Sequence, residues 1–81
     1  MERAEVLDTV KEVTGRVLNV PADEIEESSR FIEDLGAESI QSVELMAAFE
    51  EEFDIELDEE RSQECKTVGD AVDYITEVVN E

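Results

Sequence analysis

The residue with the clearest chemical potential is Ser39, which lies in the acidic stretch EDLGAESIQSVELMAAFEEEF, Glu33 to Phe53. No basic residue occurs between Arg30 and Arg61, and the chain contains no histidine. A nucleophilic serine needs a neighbouring base, so Ser39 lacks the partners of a self-sufficient catalyst. A serine just before an apolar helical segment is most often an ordinary helix cap. We therefore predict no catalytic residues, and any reaction at Ser39 must be performed by another protein.

The density of carboxylates raises the question of metal binding. An EF-hand loop that opened at Asp54 would need a glycine at Glu59 and a closing glutamate at Cys65, so this pattern is absent. Cys65 is the only cysteine, which leaves no thiolate and imidazole cluster for zinc. We predict no defined metal site, although weak and non-specific cation binding at residues 50–54 stays open. Cys65 itself is predicted to be a small core hydrophobe.

Composition limits the class of partner. The 81 residues include 25 Asp and Glu against 6 Lys and Arg, a formal charge of −19 that repels nucleic acid and anionic membranes and attracts basic protein surfaces. There is no apolar stretch of membrane-spanning length, and the first ten residues carry acids where a signal peptide would be apolar. These features predict one small domain without nucleic-acid binding or membrane insertion, located in the cytoplasm.

Hydrophobic periodicity predicts the helices. Valines recur with helical spacing from Val6 to Val17, which predicts a first helix from about Arg3 to Leu18, and Asn19 and Pro21 are typical stop signals. Residues 19–38 show no sustained period and are predicted to form a long loop. Its apolar residues are expected to attach it to the core; they are Ile25, Phe31, Ile32 and Leu35.

The second half of the chain predicts three more helices. Leu45, Met46, Phe49 and Phe53 return to helical spacing after Ser39. Asp58 is a candidate N-cap for one or two turns, and Thr67 with Asp70 has the spacing of a capping box. The last helix is expected to bury Val68, Ala71, Val72, Ile75 and Val78 or Val79. The segment FDIEL alternates like a strand but has no partner strand. The fold class is thus all-α: a four-helix bundle of three longer helices and one short helix, with a long first loop.

The stretch EDLGAESIQSVELMAAFEEEFDIEL, followed by DEE and TVGDAVDYI, resembles the acyl carrier proteins, whose hallmark is Asp-Ser-Leu after a DLGA-like turn. The resemblance covers nearly the whole chain and implies a single acyl carrier domain, residues 1–81. It implies that a phosphopantetheinyl transferase attaches a covalent 4'-phosphopantetheine arm to Ser39. The arm would carry acyl intermediates as thioesters in fatty acid, polyketide or related lipid biosynthesis. A phosphodiester at the start of a helix agrees with this site, and Gly36 suits the turn before it.

The resemblance also implies a monomer whose second helix docks acyl-processing enzymes through their basic patches. The residues it places on this partner-binding face are Glu38, Ile40, Gln41, Glu44, Ala47, Glu50 and Glu51. Three of these depart from the family pattern: Glu38 stands for Asp, Ile40 for Leu, and Gln41 for a common acid. A specialised carrier outside the housekeeping fatty-acid pathway therefore stays open. The alternative function is an acidic, non-catalytic protein-binding module without a prosthetic group.

Overall fold

The computed structural model describes all 81 residues and contains four α-helices. They are α1 (Arg3–Leu18), α2 (Ser39–Phe53), α3 (Glu59–Glu64) and α4 (Val68–Val79), with a 3-10 turn at Ala22–Glu24 in the first loop. The only β-type pairing is an isolated bridge between Arg30 and Thr67. The prediction of an all-α fold with three longer helices and one short helix is confirmed, and FDIEL forms no strand.

Helix α1 begins and ends where the periodicity predicts. Asn19 adopts the left-handed conformation with φ 59°, and its N–H donates to the carbonyl of Gly15. Gly15 also allows the loop to turn back closely, because a Cβ at this position would lie 2.6 Å from the carbonyl oxygen of Val20. A larger residue at position 15 would push the start of the first loop away from α1.

The core lies between α1, α4 and the inner face of α2. Val6, Val10 and Val13 of α1 are fully buried against Leu45 and Phe49 of α2. Helix α4 completes this core with Val68, Ala71, Val72 and Ile75, as predicted, while Val79 packs at its edge. Each fully buried aliphatic or aromatic side chain contributes roughly 1.5–3 kcal/mol, so these three helices hold most of the apolar stabilisation.

The long first loop is attached to the core by Ile25 and Phe31, as predicted, and Leu35 packs at its edge. The prediction for Ile32 is wrong, because this side chain is 50% exposed. The reason is local: the N–H of Phe31 donates to the carbonyl of Lys66 and its carbonyl accepts from Ala37, which fixes Phe31 inward and leaves its neighbour outside.

The same loop caps the start of α4. The N–H groups of Val68 and Gly69 donate to the carbonyls of Ser29 and Glu27, at 2.9 and 2.8 Å. The predicted capping box is present as well, since the Thr67 hydroxyl accepts from the N–H of Asp70. The orphan donors of α4 are therefore used to hold the loop in place.

Helix α3 is the least embedded element. Asp58 is its N-cap, as predicted, and accepts from the N–H of Arg61 at 3.1 Å. Ser62 is the only buried residue of α3. Cys65, which follows it, is half-buried at the margin of the core rather than inside it. This partial burial raises the pKa of the Cys65 thiol.

Candidate functional site at the start of helix α2

Ser39 is the first residue of α2, and it is exposed. The N-cap is Glu38, whose backbone N–H donates to the side-chain oxygen of Gln41 at 2.9 Å. The interpretation of Ser39 as an ordinary cap is therefore wrong, because Glu38 and Gln41 perform that task. No hydrogen bond inside the protein uses the Ser39 hydroxyl, which leaves it free to react.

The turn before Ser39 is held in place on the side that faces the core. Ala37 is buried, and its N–H donates to the carbonyl of Phe31 at 2.9 Å. Gly36 has φ +73°, a conformation that favours glycine, and an added Cβ would meet nothing within 4 Å. The backbone here is anchored on its inner side and open on its outer side, so another protein can approach Ser39 closely.

Few of the carboxylates around Ser39 are neutralised by ion pairs, so the site keeps a strong negative charge. Arg30, the nearest preceding cation in sequence, is paired with Asp34 at 3.1 Å. Its hydrogen bonds hold the pKa of the Asp34 carboxyl below the ordinary value. By contrast, Glu38, Glu44 and Glu51 are exposed and make no ion pair within the protein.

Glu50 differs from the other acids predicted to face partners. It is half-buried, and its carboxylate accepts the N–H of Leu57 at 2.8 Å. Gln41 is likewise half-buried and occupied by the cap of α2. Both side chains lie at the site, where Gln41 binds the backbone N–H of Glu38 and Glu50 binds that of Leu57.

An apolar stripe runs beside the acids along the outer face of α2. Ile40 is 67% exposed, Val43 is 70% exposed, and Ala47 follows one turn later. Val43 was missing from the predicted contact residues, although its position between Ile40 and Ala47 at helical spacing could have indicated it. Exposed apolar groups rimmed by charges are typical of protein interaction surfaces.

A cleft of about 610 Å³ lies between α2 and α3 and reaches the site, since Ser39 lines it. Val43, Met46 and Ala47 line its α2 side. It is large enough for a small aliphatic ligand, whose usual pockets begin at roughly 300 Å³. The free hydroxyl and the cleft therefore belong to one surface.

The arrangement fits a phosphodiester on Ser39. The backbone N–H groups of Ser39 and Ile40 have no acceptor within α2, because they belong to its first turn. An anion at this end of the helix is favoured by about 0.3–1 kcal/mol. No three acidic or thiol side chains converge to hold a metal ion. None of the helices combines the length and apolar character needed to cross a bilayer.

Comparison with known proteins gives a consistent result. The family model described as "Phosphopantetheine attachment site" matches residues 8–75. The acyl carrier protein of Sulfurovum sp. is 49% identical over 73 residues, which cover 90% of this chain and 97% of that protein. The acyl carrier protein of Clostridium perfringens is 49% identical over 72 residues, 89% of this chain and 95% of that protein. A solved structure of the acyl carrier protein from Enterococcus faecalis superposes with a TM-score of 0.79 at 35% identity, covering 96% of this chain and 99% of that one.

Proposed function

This chain belongs to the acyl carrier protein family, and from that premise we propose that Ser39 bears its 4'-phosphopantetheine arm. The observation that carries the proposal is the exposed Ser39 hydroxyl, which has no hydrogen-bond partner at the start of α2. When attached, the arm supplies a terminal thiol that holds acyl groups as thioesters. The protein is a carrier and not an enzyme, so both attachment and acyl chemistry are performed by partners.

The other serines are less suitable. Ser62 is 7% exposed, and the Ser29 hydroxyl accepts the N–H of Glu26 at 3.0 Å. Ser42 is half-buried in the second turn of α2. Ser28 is exposed but lies in the first loop, far along the chain from any helix start. Ser39 alone combines exposure with free backbone donors beside it.

The same helix is proposed to dock partner enzymes. Glu38, Glu44 and Glu51 present carboxylates without an ion-pair partner to a basic patch, and the stripe of Ile40, Val43 and Ala47 offers apolar contact between them. Gln41 and Glu50 also lie at this face. Gln41 caps the start of α2 and Glu50 holds the backbone of Leu57, so they shape the docking surface as well as touch partners. Charges placed this way mainly raise encounter rates and specificity.

Wider features of the function follow from charge and cysteine usage. We propose a single carrier domain over residues 1–81 that works as a monomer, because a charge of −19 opposes self-association. The unpaired, half-buried Cys65 fits the reducing cytoplasm. The acyl intermediates are those of fatty acid, polyketide or related lipid biosynthesis.

The attachment site is tested by incubation with a phosphopantetheinyl transferase, coenzyme A and magnesium, followed by intact mass measurement. Wild type and the control Ser42→Ala should each gain one arm, and Ser39→Ala should gain none. Modification of Ser39→Ala would refute the site. A wild-type protein that is never modified would instead favour the acidic binding module.

The docking face is tested by the rate of the same reaction at low and high salt. Glu44→Lys should slow arm transfer on the order of tenfold at low salt, and the effect should shrink when salt screens the charges. Glu24→Lys is the matched control, because it makes the same charge change at an exposed residue of the 3-10 turn. Equal slowing of both variants would mean that only net charge matters and that α2 is not the docking face.

A further inference from the structure

Lys66, just after α3, is the one basic residue that lines the cleft shared with Ser39. It is exposed, and its ammonium group has no acidic partner. Every ion pair in the protein uses an arginine, so the two lysines, Lys11 and Lys66, are both left over. In a chain of charge −19 a cation would be expected to find a carboxylate. Lys66 is therefore available to an anion that arrives at the cleft.

The acids that line the same cleft do not supply this anion. Glu33 lies 3.6 Å from the guanidinium of Arg30, and the Glu50 carboxylate accepts the N–H of Leu57. Glu59 lies in the first turn of α3, where the free N–H groups of the helix favour an acid. Each of these carboxylates is thus stabilised by other groups, and none forms an ion pair with the lysine.

Hydrogen bonds hold the backbone of Lys66 near the turn before Ser39. The Lys66 carbonyl accepts the N–H of Phe31 at 3.1 Å, and the Phe31 carbonyl accepts the N–H of Ala37 at 2.9 Å. On the other side, the Lys66 N–H donates to the Asp70 carboxylate at 3.2 Å. The backbone of Lys66 is fixed, while its ammonium sits on a flexible four-carbon stem. The charge can therefore move along the rim of the cleft where Ser39 lies.

We propose that Lys66 is a positioning residue for the arm, and that its ammonium pairs with the phosphodiester on Ser39. The proposal rests on the attachment at Ser39. Lysine binds phosphate as a point charge, so the pair needs closeness and no special orientation. The phosphodiester brings a negative charge next to Glu38, which is exposed, and Lys66 offsets the repulsion. The pair holds the first atoms of the arm at the rim of the cleft.

The test compares the apo and holo forms of wild type, Lys66→Gln, Lys66→Arg and the control Lys11→Gln. The control makes the same charge change at the other lysine without an ion pair, which lies in α1 and does not line the cleft. Holo protein is made with the transferase and verified by intact mass. The readouts at low salt are the Tm difference between holo and apo forms and the phosphorus NMR resonance of the arm.

The Tm difference, holo minus apo, should be lower in Lys66→Gln than in wild type. The expected decrease is on the order of 2–4 °C, the size of an exposed ion pair in a small domain. Lys66→Arg and Lys11→Gln should keep the wild-type difference. The phosphorus resonance should move in Lys66→Gln but not in Lys11→Gln, and high salt should move the wild-type resonance in the same direction, because salt screens the pair.

Both readouts must respond for the pairing to hold. A change in only one of them, a change in neither, or equal changes in Lys66→Gln and Lys11→Gln would overturn the role of Lys66 while leaving the attachment at Ser39 intact. Failure of wild type to gain the arm would overturn the attachment itself, and it is seen in the mass before either readout is taken.

Discussion

The two sides of α2 lie in different surroundings. On the inner side, Leu45 and Phe49 are fully buried against α1 and α4. On the other side α2 faces the cleft and the six-residue α3, which buries a single residue. One helix thus belongs both to the closed core and to an open groove. Of the candidate site residues, Ser39, Ala47 and Glu50 line this cleft, where few contacts must separate for a ligand to enter.

The contrast has its origin in the sequence of α3, EERSQE, which contains no apolar residue. This helix cannot dock through an apolar stripe as α1 and α4 do. Its links to α4 are polar: Tyr74 Oη accepts the N–H of Asp58 at 2.6 Å, and Arg61 pairs with Glu77 at 2.9 Å. Arg61 also lies over the Tyr74 ring, 4.3 Å from its centroid. Loss of these links should loosen α3 while the core stays closed.

The largest expected effect is on the closed side. Phe49→Ala should lower the free energy of unfolding by about 3–5 kcal/mol, because it leaves a cavity among residues that cannot collapse into it. Met46→Ala on the cleft side should cost well under half of that, since this side chain is only half-buried and already borders open space. Urea unfolding of both variants gives the comparison. Equal losses of unfolding free energy in the two variants would show that the core side and the cleft side of α2 are equally well packed.

The second effect should be confined to α3. Tyr74→Phe removes the acceptor of the Asp58 N–H but keeps the aromatic ring under Arg61, so it should cost about 1 kcal/mol. Hydrogen exchange of the α3 amides should accelerate while that of the α1 amides changes little. Thr76→Val is the control, because it removes a hydroxyl of α4 that bonds only within that helix. If hydrogen exchange of the α1 and α3 amides accelerates together after Tyr74→Phe, the two helices form one cooperative unit. The closed core and the side of α2 that faces α3 would then not differ in local stability.

The closed side is also the part that could be predicted from sequence. Repeated apolar spacing predicted α1, α2 and α4, and the capping residues Asp58 and Thr67 marked the starts of α3 and α4. These signals are local, so they can be recognised before the tertiary structure is known. The proposed attachment residue, Ser39, was indicated by its resemblance to a family motif, since its residue type alone favours a helix cap.

The open side could not be predicted in the same way, because it depends on contacts between distant segments. Glu50 looks like any other surface acid until the backbone of Leu57 folds against it. The outward direction of Ile32 depends on the bond from Phe31 to Lys66. The cleft itself forms because the polar helix α3 lies beside the apolar residues of α2. The hydrophobic periodicity of either segment alone does not predict the space between them.

The smallest effect concerns the ion pair between Arg61 and Glu77, which links α3 to α4 at the surface. Its side chains are 52% and 57% exposed, so the contribution should be small and should disappear in high salt. The hydrogen bond from Arg61 holds the pKa of the Glu77 carboxyl below its ordinary value of 4.5. The pair therefore stabilises the fold fully above that ordinary value, and the contribution is lost as the pH falls through the lower pKa of the folded state.

Glu77→Gln isolates this contribution, because Arg61 stays charged throughout the range. At low salt, wild type should melt above Glu77→Gln at neutral pH, and the gap should close as the solution is acidified below pH 4.5. Glu60→Gln is the control, since this exposed acid of α3 has no ion-pair partner and its removal relieves repulsion without breaking a link. A difference in Tm between wild type and Glu77→Gln that persists in acid would mean that Glu77 acts through the packing of its side chain. The attachment of α3 to α4 would then depend on shape and not on charge.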